Sequence, residues 1–251
     1  MTEPVSMSPW LHGMPSADPE VRLFLFPHAG GAASAYAHWL DMGGEGLELR
    51  SVQYPGRETR LRERPVSGIG ELADQLARAV AADTPGARFA FFGHSMGALL
   101  AFEVARRLRD LGEGGPVHLF AAACAAPQVP RGIEVSTASD ERLSAWLVRQ
   151  DASAAEVVAH PELAALVLPS VRADLTAVEN YRLVPGRPLD CPITVLTGVE
   201  DSLDGTAVTG WADHTTAGFG HHAFPGGHFF VRPSAAAVQA LVRELLRAGP
   251  R

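Results

Sequence analysis

The sequence predicts an α/β fold, with a mainly parallel central sheet flanked by helices and an inserted helical lid. Short apolar runs typical of buried strands alternate along the chain with amphipathic segments typical of helices. This alternation stops between about positions 132 and 188, where the helical pattern continues without a strand-like run. The chain has 251 residues, 47% of them hydrophobic and 20% charged, which is enough for one large core. We therefore expect a single domain over residues 1–251.

The candidate strands are short, largely apolar runs bounded by turn residues. They are Val21–Phe26, Leu49–Gln53, Arg88–Phe92, Val117–Ala122 and Ile193–Thr197. A further short strand is expected at Ala223–Pro225, ahead of the last helix. Strands separated by helices favour a parallel sheet with helices on both faces.

Helices are predicted between these strands, where apolar side chains recur three and four positions apart. The segments Glu71–Ala82 and Ala98–Leu111 each carry one apolar stripe. The segment Pro233–Arg247 opens with a proline, which favours the first turn of a helix, and we expect it to close the fold.

The lid is predicted from the helical stretches within residues 132–188. These are Asp140–Gln150, Ala154–Ala159 and Leu163–Tyr181. The alternative is a set of ordinary crossover helices packed on the sheet, but a strand-free run of this length favours an insertion.

The strongest local motif is Gly-x-Ser-x-Gly around Ser95, between a predicted strand and a predicted helix. In that setting, Gly93 and Gly97 leave room for a strained turn that exposes the Ser95 hydroxyl at a helix N-terminus. The motif predicts a nucleophile, and the Met96 N–H is a donor for an oxyanion. A plain tight turn is the alternative. The neighbouring His94 is interpreted as a packing residue, because its side chain should point away from the hydroxyl.

A serine nucleophile needs a histidine base, and in folds of this kind the base follows an acid along the chain. The glycine-rich loop before the last helix carries His228, which is our candidate. His221 and His222 are alternatives, but they precede the expected strand at Ala223–Pro225 and would lie at its other end.

The acid is expected after the strand Ile193–Thr197, at the carboxyl edge of the sheet. Asp201 is the best candidate there, and Glu200 and Asp204 are the alternatives. An ordinary loop or cap role for Asp201 also stays open.

A second oxyanion donor must come from another loop, and the segment after the first strong strand is rich in glycine. We predict that the Ala29 N–H is this donor. His28 and Gly30 of the same loop, together with Arg57, are candidate contacts for the substrate or its carrier. Packing within the loop is the alternative role for His28.

Composition excludes several other functions. All 21 basic residues are Arg, so Schiff-base chemistry and a Walker lysine are ruled out. The net charge of −7 disfavours binding to nucleic acid or to an anionic membrane. Residues 1–20 lack the pattern of a signal peptide, so we expect a cytoplasmic protein. Cys124 and Cys191 lack metal-ligand spacing, and no metal site is expected.

Several segments together resemble the type II thioesterases, which are free-standing α/β-hydrolases associated with modular polyketide and nonribosomal peptide synthases. The segments are LFLFPHAGGAASAY, VQYPGRETRLRE, FFGHSMGALLAFEVARRL, CAAPQVPRG, PLDCPITVLTGVEDS and FPGGHFF. They occur in the order and at the spacing of that family, from about Trp10 to the last helix.

The resemblance implies an α/β-hydrolase fold and hydrolysis of misprimed or stalled acyl chains from the phosphopantetheine arm of a carrier protein. It implies Ser95 as nucleophile, His228 as base and Asp201 as acid, with the Ala29 and Met96 amides as the oxyanion hole. The expected partners are acyl or peptidyl carrier domains and small acyl thioesters. No cofactor beyond the carrier's own 4′-phosphopantetheine is implied, and we expect a monomer.

Two segments depart from the family pattern. Ser202 follows Asp201 where many relatives have proline, and AACAAP replaces a sequence that commonly carries two arginines. The arginines at positions 57, 60, 62 and 64 could dock an acidic carrier domain, although internal ion pairs are the alternative.

Other functions remain open at this stage. A product-releasing thioesterase, an acyltransferase or a cyclase would use the same acyl-enzyme. A general carboxylesterase and a noncatalytic carrier-binding module are further alternatives.

Overall fold

A computed structural model describes residues 8–13, 19–44, 46–130, 132 and 134–248. Within these ranges the centre of the molecule is a seven-stranded sheet in the order β1-β3-β2-β4-β5-β6-β7. β1 is antiparallel to β3, and the other neighbouring strands run parallel. The predicted mainly parallel sheet is therefore confirmed. The strands are β1 Leu11–His12, β2 Val21–Phe26, β3 Leu47–Val52, β4 Phe89–His94, β5 Leu119–Ala122, β6 Ile193–Gly198 and β7 Phe219–Phe224.

Helices cover both faces of the sheet, because alternate side chains of each buried strand point to opposite sides. Phe24 and Phe91 pack with the α1 and α2 side, whereas Leu25 and Phe92 pack with the α7 side. The helices are α1 Ile69–Asp83, α2 Met96–Leu111, α3 Asp140–Gln150, α4 Ala154–Val158, α5 Pro161–Glu179, α6 Gly205–Thr209 and α7 Ala235–Ala248. No helix within the described ranges is long and apolar enough to cross a membrane.

The last strand differs from the prediction. It spans Phe219–Phe224 instead of Ala223–Pro225, so His221 and His222 lie inside the strand and not before it. β7 is an edge strand whose middle residues are exposed. It therefore lacks the continuous apolar run by which a strand buried on both faces is recognised.

The region between β5 and β6 contains α3, α4 and α5, with no strand among its described residues. These helices have their own apolar cluster, formed by Leu143, Leu168, Val171 and Leu175. α5 begins earlier and ends earlier than the predicted Leu163–Tyr181, and it continues through an internal proline. Within the predicted single domain and lid, residues 1–7, 14–18, 45, 131, 133 and 249–251 lie outside the described residues.

Candidate active site

The turn from β4 into α2 fixes the position of Ser95. Its φ of 55° and ψ of −116° are strained for a residue with a side chain. A Cβ atom at Gly97 would collide with the Phe26 carbonyl oxygen, and one at Gly93 would collide with the Gly97 carbonyl. Both motif glycines are therefore required by close packing of backbone on backbone.

Ser95, His228 and Asp201 form a hydrogen-bonded chain. The distance from His228 Nε2 to Ser95 Oγ is 3.0 Å, and the distance from His228 Nδ1 to Asp201 Oδ2 is 3.1 Å. The Asp201 side chain is only 4% exposed, and its other oxygen accepts the Ser202 N–H at 2.7 Å. A carboxylate in this position holds the imidazole in the tautomer whose free Nε2 accepts the serine proton.

Contacts between two loops bring Asp201 to the histidine. A Cβ at Gly198, the end of β6, would collide with the carbonyls of Gly226 and Gly227, so the loops approach as closely as backbones can. The Glu200 N–H donates to the Gly226 carbonyl at 3.0 Å, while the Glu200 side chain is exposed. The alternative acid Asp204 caps the N-terminus of α6 instead.

His94 is buried and fixes the loop of His228. Its Nε2 lies 2.8 Å from the His228 carbonyl oxygen, which can only accept, so this nitrogen carries the hydrogen. Burial, followed by the nearby His28 and His228, holds the pKa of His94 well below its usual value. The predicted packing residue therefore also positions the backbone of the candidate base.

His28 packs edge-on against His94 and Phe229 on the wall of the site. Burial, with a smaller contribution from the charge of His228, lowers the pKa of His28 to about 4. The His28 imidazole is therefore neutral near pH 7 and can contribute packing or a hydrogen bond, but not a charge.

The glycine-rich loop after β2 lines the cavity that contains Ser95. Ala29 and Met96 line the same cavity as Ser95. The Met96 N–H lies in the first turn of α2, where no carbonyl of the helix can accept it. The Ala29 and Met96 amides are therefore candidate donors to an oxyanion formed at Ser95.

Arg57 is a predicted contact for the substrate or its carrier, but the structure does not leave its charge free for that contact. Its guanidinium is buried and pairs with both oxygens of Asp174 on α5, at 2.6 and 2.9 Å. The Gly30 N–H also donates to Asp174, at 2.7 Å. Sequence reasoning missed Asp174, because a lone acidic residue on an amphipathic helix is ordinarily exposed to solvent.

The other arginines of the basic run divide into two kinds. Arg60 is buried, lies 3.8 Å above the ring of Trp10 and pairs with Glu63 at 2.7 Å. Arg62 and Arg64 are exposed. Arg57 and Arg60 therefore form internal ion pairs. Only Arg62 and Arg64 of this run remain candidates for docking an acidic carrier domain.

A cavity of about 970 Å³ opens on Ser95 and His228. This is near the upper end of the roughly 300–1,000 Å³ usual for ligand pockets. Helices α3, α4 and α5 supply a large part of its apolar wall, which includes Trp146, Leu147, Val157, Val158, Val167, Val171, Leu175 and Val178. Such a wall suits an apolar chain next to a polar reacting centre.

The arrangement is suited to nucleophilic acyl transfer. A serine hydroxyl becomes a competent nucleophile when an adjacent imidazole removes its proton, and backbone amides stabilise the oxyanion that follows. Within the described residues, no group of three or more His, Cys, Asp or Glu side chains is placed to hold a metal ion.

Comparison with known proteins places the chain in a family. The thioesterase-domain family model matches residues 21–248. A probable cadicidin biosynthesis thioesterase of Streptomyces griseus is 39% identical over 96% of this chain and 68% of its own length. The gramicidin S biosynthesis protein GrsT of Aneurinibacillus migulanus is 34% identical over 86% of this chain and 84% of its own length.

The fold agrees with the same family. The structure of the type II thioesterase BorB from the borrelidin biosynthetic cluster aligns with a TM-score of 0.86 and 37% identity. The alignment covers 94% of this chain and 96% of BorB. The chain therefore belongs to the thioesterase family and has the α/β-hydrolase fold that its sequence predicted.

Proposed function

We propose that this protein is a type II thioesterase that hydrolyses acyl thioesters from the phosphopantetheine arm of carrier proteins in polyketide or nonribosomal peptide biosynthesis. The observation that carries the proposal is the hydrogen-bonded chain of Ser95, His228 and Asp201 at the end of a large, mostly apolar cavity. Kinship with thioesterases named for antibiotic pathways supports a carrier-bound substrate.

Ser95 Oγ attacks the thioester carbonyl carbon while His228 Nε2 takes the hydroxyl proton. The carbonyl oxygen becomes an oxyanion, to which the N–H groups of Ala29 and Met96 donate. The C–S bond then breaks, and the imidazolium returns its proton to the thiolate, which leaves a free carrier thiol and an acyl ester on Ser95. Asp201 stabilises the imidazolium during both transfers.

The second half of the reaction uses the same groups with water in place of the serine hydroxyl. His228 removes a proton from water while the water oxygen adds to the ester carbonyl. The oxyanion then collapses, the bond between the acyl carbon and Ser95 Oγ breaks, and the imidazolium returns its proton to Ser95 Oγ, which releases the acid and regenerates the serine. Side chains and backbone amides supply every step, so the proposal includes no cofactor beyond the carrier's own arm.

The size and apolar wall of the cavity favour a substrate whose acyl group has an extended apolar part. The helices between β5 and β6 form one side of the cavity wall, and we propose that they act as a lid over the acyl chain. A closed lid would exclude bulk water and strengthen the electrostatic interactions at the reacting centre.

The carrier is proposed to dock at the mouth of the cavity near residues 61–64. The side chain of Leu61 is exposed there and also lines the cavity. The exposed Arg62 follows it directly, and the exposed Arg64 comes two residues later, after Glu63. Cationic groups beside an apolar contact suit an acidic partner domain, because opposite charges steer its approach and fix its orientation.

The test is intact-protein mass spectrometry of wild type and Ser95→Ala with carrier proteins loaded with short, branched and long acyl thioesters. Wild type should return free-thiol carrier and free acid, and Ser95→Ala, which remains folded, should return neither. Hydrolysis that survives in Ser95→Ala would refute the assignment of the nucleophile. A wild-type enzyme that stays acylated until an alcohol or amine is added would refute hydrolysis in favour of acyl transfer or cyclisation.

A further inference from the structure

Asp174 lies on the lid helix α5 but bonds to the loop that carries Ala29. Its side chain is only 1% exposed. Asp174 Oδ2 accepts both the Gly30 N–H at 2.7 Å and Arg57 Nη1 at 2.6 Å, and Oδ1 accepts Arg57 Nη2 at 2.9 Å. The same Arg57 Nη1 donates to the Gly31 carbonyl at 3.0 Å. The ion pair is therefore hydrogen-bonded to two consecutive residues of the loop, because Asp174 accepts the Gly30 N–H and Arg57 donates to the Gly31 carbonyl.

These contacts determine which amides of the loop remain available. The Gly30 N–H is taken by Asp174, and the Gly31 N–H donates to the His28 carbonyl at 2.9 Å. The Ala33 N–H donates to the Gln53 side chain at 3.0 Å. The loop amides that follow Ala29 are thus largely occupied. Ala29 faces the cavity that contains Ser95.

Charge balance explains why the carboxylate is paired. An unpaired carboxylate bonded to the loop that carries Ala29 would raise the energy of an oxyanion bound by that loop, and an unpaired guanidinium would be costly to bury. The bidentate pair cancels both charges, and its planar geometry fixes Asp174 in one orientation.

A second contact ties the same part of α5 to the core. Ser170 lies one helical turn before Asp174, and its hydroxyl donates to the carbonyl of Gly56, the residue before Arg57. This end of the lid helix is therefore held against the glycine-rich loop at two levels.

We infer that Asp174 and Arg57 are positioning residues, which hold the Gly30–Gly31 segment so that the Ala29 N–H is the loop amide presented to the oxyanion. The inference rests on the proposed function, because it assigns the pair a purpose in acyl transfer. It also makes the lid helix a structural part of the oxyanion hole, in addition to a wall of the cavity.

The test compares Asp174→Asn and Arg57→Lys with wild type, using a small acyl thioester. The Asn side chain retains an acceptor for the Gly30 N–H but leaves Arg57 unpaired, and Lys retains the charge but cannot make two parallel hydrogen bonds. The acylation rate constant should fall about 10- to 100-fold in each, less than the loss of a whole oxyanion donor. Affinity for an alkyl boronic acid, whose adduct on Ser95 mimics the intermediate, should fall with it. The KM should change less than about twofold, since ground-state binding does not use the oxyanion hole.

The matched control is Glu179→Gln, on the same helix. Glu179 accepts the N–H groups of Val135 and Ser136 at 2.8 and 3.0 Å, away from the glycine-rich loop. Its replacement should lower the melting temperature and leave the acylation rate and boronate affinity at the wild-type level. If Glu179→Gln slows acylation as much as Asp174→Asn, the pair has only a general structural role and the inference fails.

Two further outcomes separate this inference from the proposed function. If wild type hydrolyses the thioester and folded Asp174→Asn acylates at the wild-type rate, the inference alone is refuted. If wild type hydrolyses no thioester, the proposed function is refuted as well. Should the single variants fail to fold, the double variant Arg57→Met with Asp174→Leu removes both buried charges together, and it should show the same loss of acylation rate.

Discussion

His118 is a buried imidazole outside the proposed catalytic residues, and it makes the stability of the protein depend on pH. It precedes β5, stacks on Phe120 with ring centroids 4.1 Å apart, and its Nε2 lies 2.8 Å from the Thr194 hydroxyl. Burial lowers the pKa of His118 to about 4 in the folded protein, from the usual 6.5. The folded chain therefore binds this proton only at much lower pH than the unfolded chain does.

The direction and size of the effect follow from this difference in pKa. Between pH 6.5 and about 4 the unfolded state binds a proton that the folded state does not, so the free energy of unfolding falls as the pH falls. The contribution is fully present above pH 6.5 and is lost as the pH falls toward about 4. Between pH 7 and pH 5 the loss from this one residue is about 2 kcal/mol.

Urea unfolding of wild type and His118→Gln at pH 7 and pH 5 measures this contribution. Gln removes the titrating group, so the variant should lose about 2 kcal/mol less than wild type between the two pH values, whatever its stability at pH 7. An equal pH-dependent loss in His118→Gln and wild type would refute the assignment of a neutral buried imidazole.

Three further predictions concern the site. Asp201→Asn should lower kcat about 10⁴-fold. The kcat of Asp204→Asn should stay within about twofold of wild type, because Asn also caps a helix. Steady-state kinetics on one thioester compares the two variants, and a larger loss in Asp204→Asn would identify Asp204 as the acid. Gly97→Ala should destabilise the fold by more than about 4 kcal/mol, because its Cβ meets backbone, and an unchanged melting temperature would contradict this. Arg62→Glu with Arg64→Glu should lower kcat/KM about 10-fold for a carrier-bound substrate and leave a small thioester unaffected; equal losses on both substrates would argue against docking there.

Much of the site is predictable from sequence because each part is defined by a short stretch of chain. The Gly-x-Ser-x-Gly turn predicts the strained position of Ser95, since only glycine fits where backbone meets backbone. The order of acid and histidine along a parallel sheet restricts the candidates to two loops, and the fold brings Asp201 and His228 of those loops within hydrogen-bond distance. Buried parallel strands are likewise predictable, because both of their faces must be apolar.

The edge strand β7 was predicted with wrong bounds for the complementary reason. One face of an edge strand is solvated, and its pairing is decided by the neighbouring strand and not by its own apolar residues. Its six residues pair with β6 in parallel register, which carries His221 and His222 into the sheet and leaves His228 on the loop beyond it.

The sequence by itself determined the fold class, the strained turn at Ser95 and the loops that carry its hydrogen-bonded partners, because local backbone geometry and hydrophobic periodicity are encoded residue by residue. The tertiary structure decided what depends on contacts between distant segments. Asp174 meets Arg57 across 117 residues of chain, and His94 meets the His228 carbonyl across 134. Neither contact leaves a local pattern, because a buried charge or imidazole is stabilised by a partner that only folding brings within reach.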